Sequence, residues 1–259
     1  MKINDNIRTI SQSLSFMNLD SMAMRLVSDV ESNRQNVPAD QLIASSFSVY
    51  TSEVKAERAE RCLRASRLGG ATLFSDYEPV TGRNLTKVTI DELESLCFIK
   101  ERRPLVIQGT PGVGKSWLGM AVATKACAEC YRTYWITFSA LLEDLRSRRI
   151  KDTEEGSKKY GKRIRFYSNL FLCIDEFLNS EMSLSDVYIL QDLFNAFEVK
   201  RNPFLICTQC DLNKLPEMVG NKSLGESIRG RILGRAKIVS IVGPDIRLMA
   251  PDKKPAGTA

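Results

Sequence analysis

The residues with the most chemistry per position are Gly109-Thr110-Pro111-Gly112-Val113-Gly114-Lys115-Ser116, which read G-x-x-x-x-G-K-[ST]. They follow the apolar run Leu105-Val106-Ile107-Gln108 and lead into helical spacing that starts at Trp117 and reaches Cys130. A strand before and a helix after are the context a phosphate-cradling loop requires. Its glycines let successive N–H groups point into one concavity, and the positive end of the next helix adds to that anion site. Lys115 reaches β- and γ-phosphates, and the Ser116 hydroxyl suits Mg²⁺. A Gly-rich turn with a chance lysine would lack the fixed spacing and both flanks. The pattern therefore implies binding of a nucleoside triphosphate, with ATP and Mg²⁺ the expected pair.

A phosphate loop alone does not separate hydrolases from kinases. Leu170-Phe171-Leu172-Cys173-Ile174 is a fully apolar run that ends in Asp175-Glu176. In a doubly wound sheet the strand C-termini converge on the ligand crevice. Asp175 is then expected at Mg²⁺ and Glu176 at the attacking water, as its base. Thr208-Gln209 ends the next apolar run and is expected beside the γ-phosphate. Arg229, Arg231, Arg235 and Arg247 follow. An arginine near the γ-phosphate neutralises developing charge and is often supplied by a neighbouring subunit.

The elements that must position these groups follow from periodicity. From Leu105 onward, strands alternate with helices, which argues for a parallel sheet with helices on its faces. Strands are expected at Leu105–Gln108, Tyr134–Thr137, Leu170–Ile174, Phe204–Thr208 and Lys237–Val242. Ser139 is expected to cap a helix over Ala140–Arg149, and Leu184–Val199 is amphipathic. Residues 150–168 are polar and basic. Before the sheet, residues 1–70 read as a small N-terminal helical domain, interrupted at Asn33–Asn36, with a second helix from Gln41 to about Leu68. Lys55, Arg58, Arg61, Arg64 and Arg67 form a basic stripe on that helix. Residues 71–87 read as a linker, 88–248 as the nucleotide domain and 249–259 as a disordered tail.

The 259 residues carry a net charge of +6. Residues 1–100 hold 12 Lys/Arg against 13 Asp/Glu, and the remainder hold 25 against 18. A basic nucleotide module favours a polyanionic partner, with nucleic acid first. No apolar run approaches a membrane span, and Met1-Lys2-Ile3-Asn4-Asp5 lacks the apolar stretch of a signal peptide, so a cytoplasmic location is expected. Cys127-x-x-Cys130 and Cys207-x-x-Cys210 have zinc-like spacing. Cys130 should lie roughly 24 Å along its helix from the phosphate loop, at 1.5 Å per residue. Cys210 should lie close to that loop, so buried structural thiols are the expectation rather than a joint metal site.

In order and spacing these parts resemble an AAA+ ATPase of the IstB/DnaC type. The likeness rests on GTPGVGKS, YWITFSALLEDLR, LFLCIDEF, the ICTQ strand end, SIRGRILGRA and GPDIR. It implies an α/β fold, an AAA+ P-loop domain with a parallel sheet flanked by helices, preceded by a small helical domain. It also implies that Asp175-Glu176 is the Walker B pair and Thr208-Gln209 the first sensor. Arg231 matches the arginine finger, acting in trans, and Arg247 the second sensor. Three positions depart from the pattern: Gln209 replaces the usual Asn, Gly230 replaces an acidic residue, and Asp245-Ile246-Arg247 replaces Ser-Tyr-Arg. With Gly230 in that place, Arg229 competes with Arg231 for the finger role.

Proteins of this type assemble as rings or helical filaments on DNA. The resemblance thus implies a homo-oligomer and double-stranded DNA as partner. Local DNA candidates are Lys158, Lys159, Lys162, Arg163 and Arg165, with Tyr160, Phe166 and Tyr167 interleaved. The client is expected to be a transposase, with a replicative helicase as the alternative. A small-molecule kinase on the same scaffold would transfer phosphate to an acceptor without DNA.

Overall fold

A computed structural model describes residues 5–17, 19–32, 37–149, 154–180 and 182–248. The expected interruption at Asn33–Asn36 and the expected tail at 249–259 lie outside them. The chain divides into two compact units between Arg58 and Ala59, ahead of the expected boundary near residue 70.

The first unit contains α1 (Asp5–Phe16), α2 (Asp20–Glu31) and the start of α3 (Ala39–Ala65). Ile7, Leu14, Met22, Leu26 and Val30 recur at helical spacing and bury together, with Leu42, Ile43 and Tyr50 packed against them. Polar ties bind α3 to α2: Arg25 Nη1 meets Glu53 Oε1 at 2.6 Å, and the Ser46 hydroxyl donates to Asp29 at 2.6 Å. Of the expected basic stripe, Arg64 pairs with Glu60 at 3.2 Å. Arg67 lies beyond the end of α3, over the Tyr134 ring.

The second unit holds α4 (Lys87–Glu94), α5 (Cys97–Lys100), β1 (Leu105–Gly109), α6 (Lys115–Ala128), β2 (Thr133–Thr137), α7 (Phe138–Arg149) and α8 (Glu154–Ser168). It continues with β3 (Phe171–Phe177), α9 (Leu184–Lys200), β4 (Phe204–Thr208), α10 (Leu215–Met218), α11 (Lys222–Leu233) and β5 (Lys237–Ile241). The strands form one parallel sheet in the order β2-β3-β4-β1-β5. Strands covered on both faces need apolar residues at every position, and all five residues of β4 are buried. Alternate side chains serve opposite faces. Leu105, Ile107, Leu205 and Cys207 join the core under α4–α6. Val106, Phe204 and Ile206 join the core under α7–α9 and α11.

One stretch differs from expectation, and a second forms an element that its polarity and charge do not announce. Residues 71–87 do not trail between domains: Phe74 and Leu85 are buried in the α6-side core, and the Thr72 N–H donates to Thr124 Oγ1. The basic stretch before β3 is a helix, α8, whose Ile164 and Tyr167 are buried and whose Tyr160 and Phe166 pack against the same core. On α9, Ser183 caps the N-terminus through Asp186, which also accepts two hydrogen bonds from Arg146 at 2.5 and 2.6 Å. No helix among the described residues is long and apolar enough to cross a membrane.

Candidate nucleotide site

Sheet order brings the chemistry together. β4 lies between β1 and β3, so the C-terminal ends of all three strands meet at one edge. The loop after β1 runs directly into α6 at Lys115. A cavity of about 450 Å³ opens there, lined by Pro111, Gly112, Gly114, Lys115, Ser116 and Trp117 from the loop and helix start. Asp175 and Glu176 line it from β3, Thr208 and Gln209 from the end of β4, and Arg247 from the C-terminal segment. Its size falls within the range of small-molecule sites. Gly109 ends β1, paired in register with Ile241, and Thr110 and Val113 complete the loop.

Lys115 is buried, and its Nζ donates to the Thr110 carbonyl at 2.7 Å. Burial pulls its ammonium below the ordinary lysine value. The Ser116 hydroxyl donates to Asp175 Oδ1 at 3.0 Å. Burial pushes the Asp175 carboxyl above its ordinary range, and the Ser116 hydrogen bond offsets this only in part. This half-buried carboxylate beside a hydroxyl is an oxygen donor set of the kind Mg²⁺ prefers.

Glu176 stands out in the backbone. The register of β3 against β4 shifts between Ile174 and Phe177, and Glu176 adopts φ +54° inside that irregularity. A bulge re-aims a side chain at the price of local strain. Its effect here is to leave Glu176 exposed on the cavity wall beside the buried strand. Thr208 braces the irregularity, because its buried hydroxyl donates to the Phe177 carbonyl at 2.8 Å. Of the expected sensor pair, Gln209 is thus the exposed member.

The C-terminal segment folds back over the loop. The Ile246 N–H donates to the Gly112 carbonyl at 3.0 Å. Gly112 has φ +74°, and a Cβ there would lie 1.9 Å from the Asp245 carboxyl. Asp245 in turn pairs with Arg247 at 2.7 Å. The contact explains how Arg247, distant in sequence, reaches the cavity.

Arg231 is elsewhere. It pairs with Glu198 at 3.0 Å and donates to the Ser227 carbonyl and hydroxyl. It lines a separate cavity with Arg102, Pro104, Phe204 and Arg235. Pro104 precedes β1 and Phe204 starts β4, so this is the opposite end of the sheet from the chain's own loop. Arg229 pairs with Glu226. Among the basic residues of α8, Lys158, Lys159, Lys162 and Arg165 are exposed. Arg163 is turned inward, donating to Asp144 at 2.6 Å and to the Tyr167 hydroxyl at 3.0 Å. Burial alone would raise the Asp144 carboxyl, but the bonds from Arg163, Tyr167 and Arg148 hold it below its usual range. Tyr167 is fully buried, so it offers no face for stacking a base. Cys207 is buried against the start of α6, with its thiol 3.6 Å from the Lys115 carbonyl, while Cys127 lies near the far end of that helix.

Sequence reasoning passed over Thr72, Met120 and Ile246, which also line the cavity. Only Ile246, inside a quoted motif, carried any signal.

The chain is similar to known proteins. The chain is 25% identical over 198 residues to a Geobacillus stearothermophilus protein named as an ATP-binding protein of insertion sequence IS5376, covering 76% of each. It is 27% identical over 165 residues to one from Bacillus thuringiensis subsp. berliner named likewise for IS232, covering 64% of each. Among solved structures, the DnaC helicase loader superposes with a TM-score of 0.53 at 16% identity, over 66% of this chain and 97% of that one. DnaI superposes at 0.52 and 17% identity, over 71% and 94%. These likenesses identify the fold as that of an AAA+ P-loop domain. The family model described as IstB-like ATP binding protein matches residues 13–254, nearly the whole chain, and by that extent the chain belongs to the IstB-like ATP-binding proteins, a family of AAA+ ATPases.

Proposed function

We propose that the chain is an ATP-driven assembly ATPase that binds double-stranded DNA and recruits and stimulates a transposase. The observation that carries this reading is the single cavity in which Lys115, Ser116, Asp175 and Glu176 converge. It holds the complement that hydrolysis needs: a phosphate cradle, a cation seat and a base. The insertion-sequence names of the relatives support the client.

Gly109–Ser116 and Trp117 cradle the triphosphate, and Lys115 neutralises its β- and γ-oxygens. Ser116 and Asp175 would hold Mg²⁺, which would supply charge neutralisation at the triphosphate. Glu176 orients the attacking water and accepts its proton. Thr208 holds Gln209 beside the γ-phosphate, and Arg247 reaches the same phosphate from the C-terminal segment. Arg231 serves a neighbouring subunit's site, since it stands at the opposite end of the sheet from its own. This makes the active form a homo-oligomer, a ring or helical filament on DNA. Lys158, Lys159, Lys162 and Arg165 are the DNA-facing charges on α8, with Arg163 committed to Asp144. The cytoplasm is the corresponding compartment.

The second reading, a loader of a replicative helicase, is favoured by the fold likeness to the DnaC loader. The test uses Glu176→Gln with ATP, duplex DNA and each client. ATP binding should persist, turnover should fall by about 10²- to 10⁴-fold, and the assembly on DNA should become long-lived. Co-purification with transposase supports the first reading, and with helicase the second. Unchanged turnover removes Glu176 from its role. Phosphate transfer to a small acceptor without DNA would sink both readings.

A further inference from the structure

Beside the phosphate loop, Arg83 lacks a counter-ion among the described residues. Its Nε and Nη2 are buried and have no hydrogen-bond partner, and it forms no ion pair among the described residues. Buried guanidinium nitrogens are costly to leave unmatched, because each loses its hydration and gains nothing. Burial pulls the Arg83 guanidinium below its ordinary value. Yet the residue is held firmly. Its Cα, Cβ and Cγ lie 3.0–3.2 Å from where a Cβ on Gly243 would be, and its guanidinium carbon sits 5.7 Å from the centre of the Tyr77 ring. Its backbone N–H donates to the Val80 carbonyl at 3.1 Å.

Its aim is toward the loop. A Cβ on Gly114 would lie 2.8 Å from Arg83 Nη2, so the lack of a side chain at 114 is what lets the guanidinium reach the start of α6. Tyr77 and Trp117 stand with ring centres 6.0 Å apart beside it, and Ile246, Gly114, Asp76 and Glu78 complete a small recess, with neither carboxylate ion-paired to Arg83 among the described residues. Lys115 and Asp175 mark the γ-phosphate end of the neighbouring cavity. Trp117 and Ile246 line both that cavity and the recess, so their side is the end that suits a flat base. Arg83 lines that recess and meets the loop at Gly114.

We infer that Arg83 is a nucleotide-binding residue, whose buried guanidinium donates to the nucleoside-proximal phosphate of an ATP or ADP held in its own chain's loop. This rests on the reading of the loop as a nucleotide site. The contact is shared by ATP and ADP, unlike a γ-phosphate contact. It also explains why an arginine is kept unmatched: the ligand supplies the anion, and charge-assisted hydrogen bonds are the strong ones.

The test is Arg83→Met, which keeps length and removes the donors, with Arg83→Lys beside it and Lys115→Ala as the control. Binding of ATP and of ADP is measured by titration calorimetry, and the melting temperature of each nucleotide-free protein is recorded. Arg83→Met should weaken ATP and ADP by the same factor, about 10- to 100-fold. Its nucleotide-free melting temperature should stay level or rise, because a buried unmatched charge has gone. Arg83→Lys should recover part of the affinity. If Arg83→Met binds both nucleotides normally but melts lower, Arg83 is a packing strut and the assignment is wrong. If only ATP weakens, the contact is to the γ-phosphate instead, and the assignment is again wrong. A wild-type chain that binds neither nucleotide overturns the reading of the loop itself, and the Arg83 role with it.

Discussion

Gly112→Ala separates two effects that the structure places at one atom. The first is conformational: Gly112 sits at φ +74°, where a residue with a Cβ costs about 1–2 kcal/mol. The second is steric: the new methyl would lie 1.9 Å from the Asp245 carboxyl, and forcing a methyl into a filled site costs about 1–3 kcal/mol. Together they predict a loss of roughly 2–5 kcal/mol in stability of the second unit. Relief comes by expelling the C-terminal segment, which breaks the Ile246 N–H to Gly112 carbonyl bond and removes Arg247 from the cavity. ATP affinity should fall with it. Asp245→Ala removes the obstruction but not the backbone cost, so the double variant should regain about 1–3 kcal/mol and keep the rest of the deficit. Urea denaturation of the four proteins in the cycle measures this, with Trp117 fluorescence following nucleotide binding. Strict additivity of the two single changes would refute the placement of Asp245 over Gly112. A full rescue would refute the backbone cost.

Other outcomes follow from the site and its supports. Arg231→Ala should bind ATP normally as a monomer but lose assembly-stimulated hydrolysis by roughly 10³-fold. Mixing it with Lys115→Ala should restore part of the rate, because each variant supplies what the other lacks; no restoration would sink the action in trans. Asp186→Asn should destabilise by about 2 kcal/mol at neutral pH, since the Arg146 hydrogen bonds lower the Asp186 carboxyl from its ordinary value near 3.8 to about 2. Asp186 binds its proton more weakly folded than unfolded, so its contribution is whole above about pH 5 and fades as pH falls toward 2. The gap between wild type and variant should therefore narrow by about 1 kcal/mol from pH 7 to pH 3 in urea melts; a constant gap would place the stabilisation elsewhere.

The parts legible in the sequence are those where one physical demand fixes residue type. A strand buried on both faces must be apolar throughout, so Leu170–Ile174 and Phe204–Thr208 announced themselves and lie within or at the edge of β3 and β4. A loop that presents backbone N–H groups must be glycine-rich, which marked 109–116. Where demands mix, the signal faded. α8 carries Tyr160, Ile164 and Tyr167 on one face, yet Lys158, Lys159, Lys162, Arg163 and Arg165 overlay that spacing and read as a basic stretch for DNA. Arg163 was grouped with its neighbours because nothing in its type reveals that Asp144 would hold it. Residues 71–87 lack periodicity because they pack as irregular chain, with Phe74, Tyr77 and Leu85 anchoring it singly. Arg83 was invisible for the same reason: a lone arginine among Pro, Gly and Thr signals a turn, and only three dimensions set it beside Gly114.

The irregularity in β3 has a consequence for how this chain varies. Glu176 occupies left-handed backbone, a conformation that asparagine or glycine adopts at lower cost. Selection for folding alone would therefore draw this position away from glutamate, while the base role proposed for Glu176 would draw it back. Copies released from the need for turnover should drift here first, and they should become slightly more stable as they do so. The residue at this one site then reports, from sequence alone, whether a copy is still under pressure to hydrolyse.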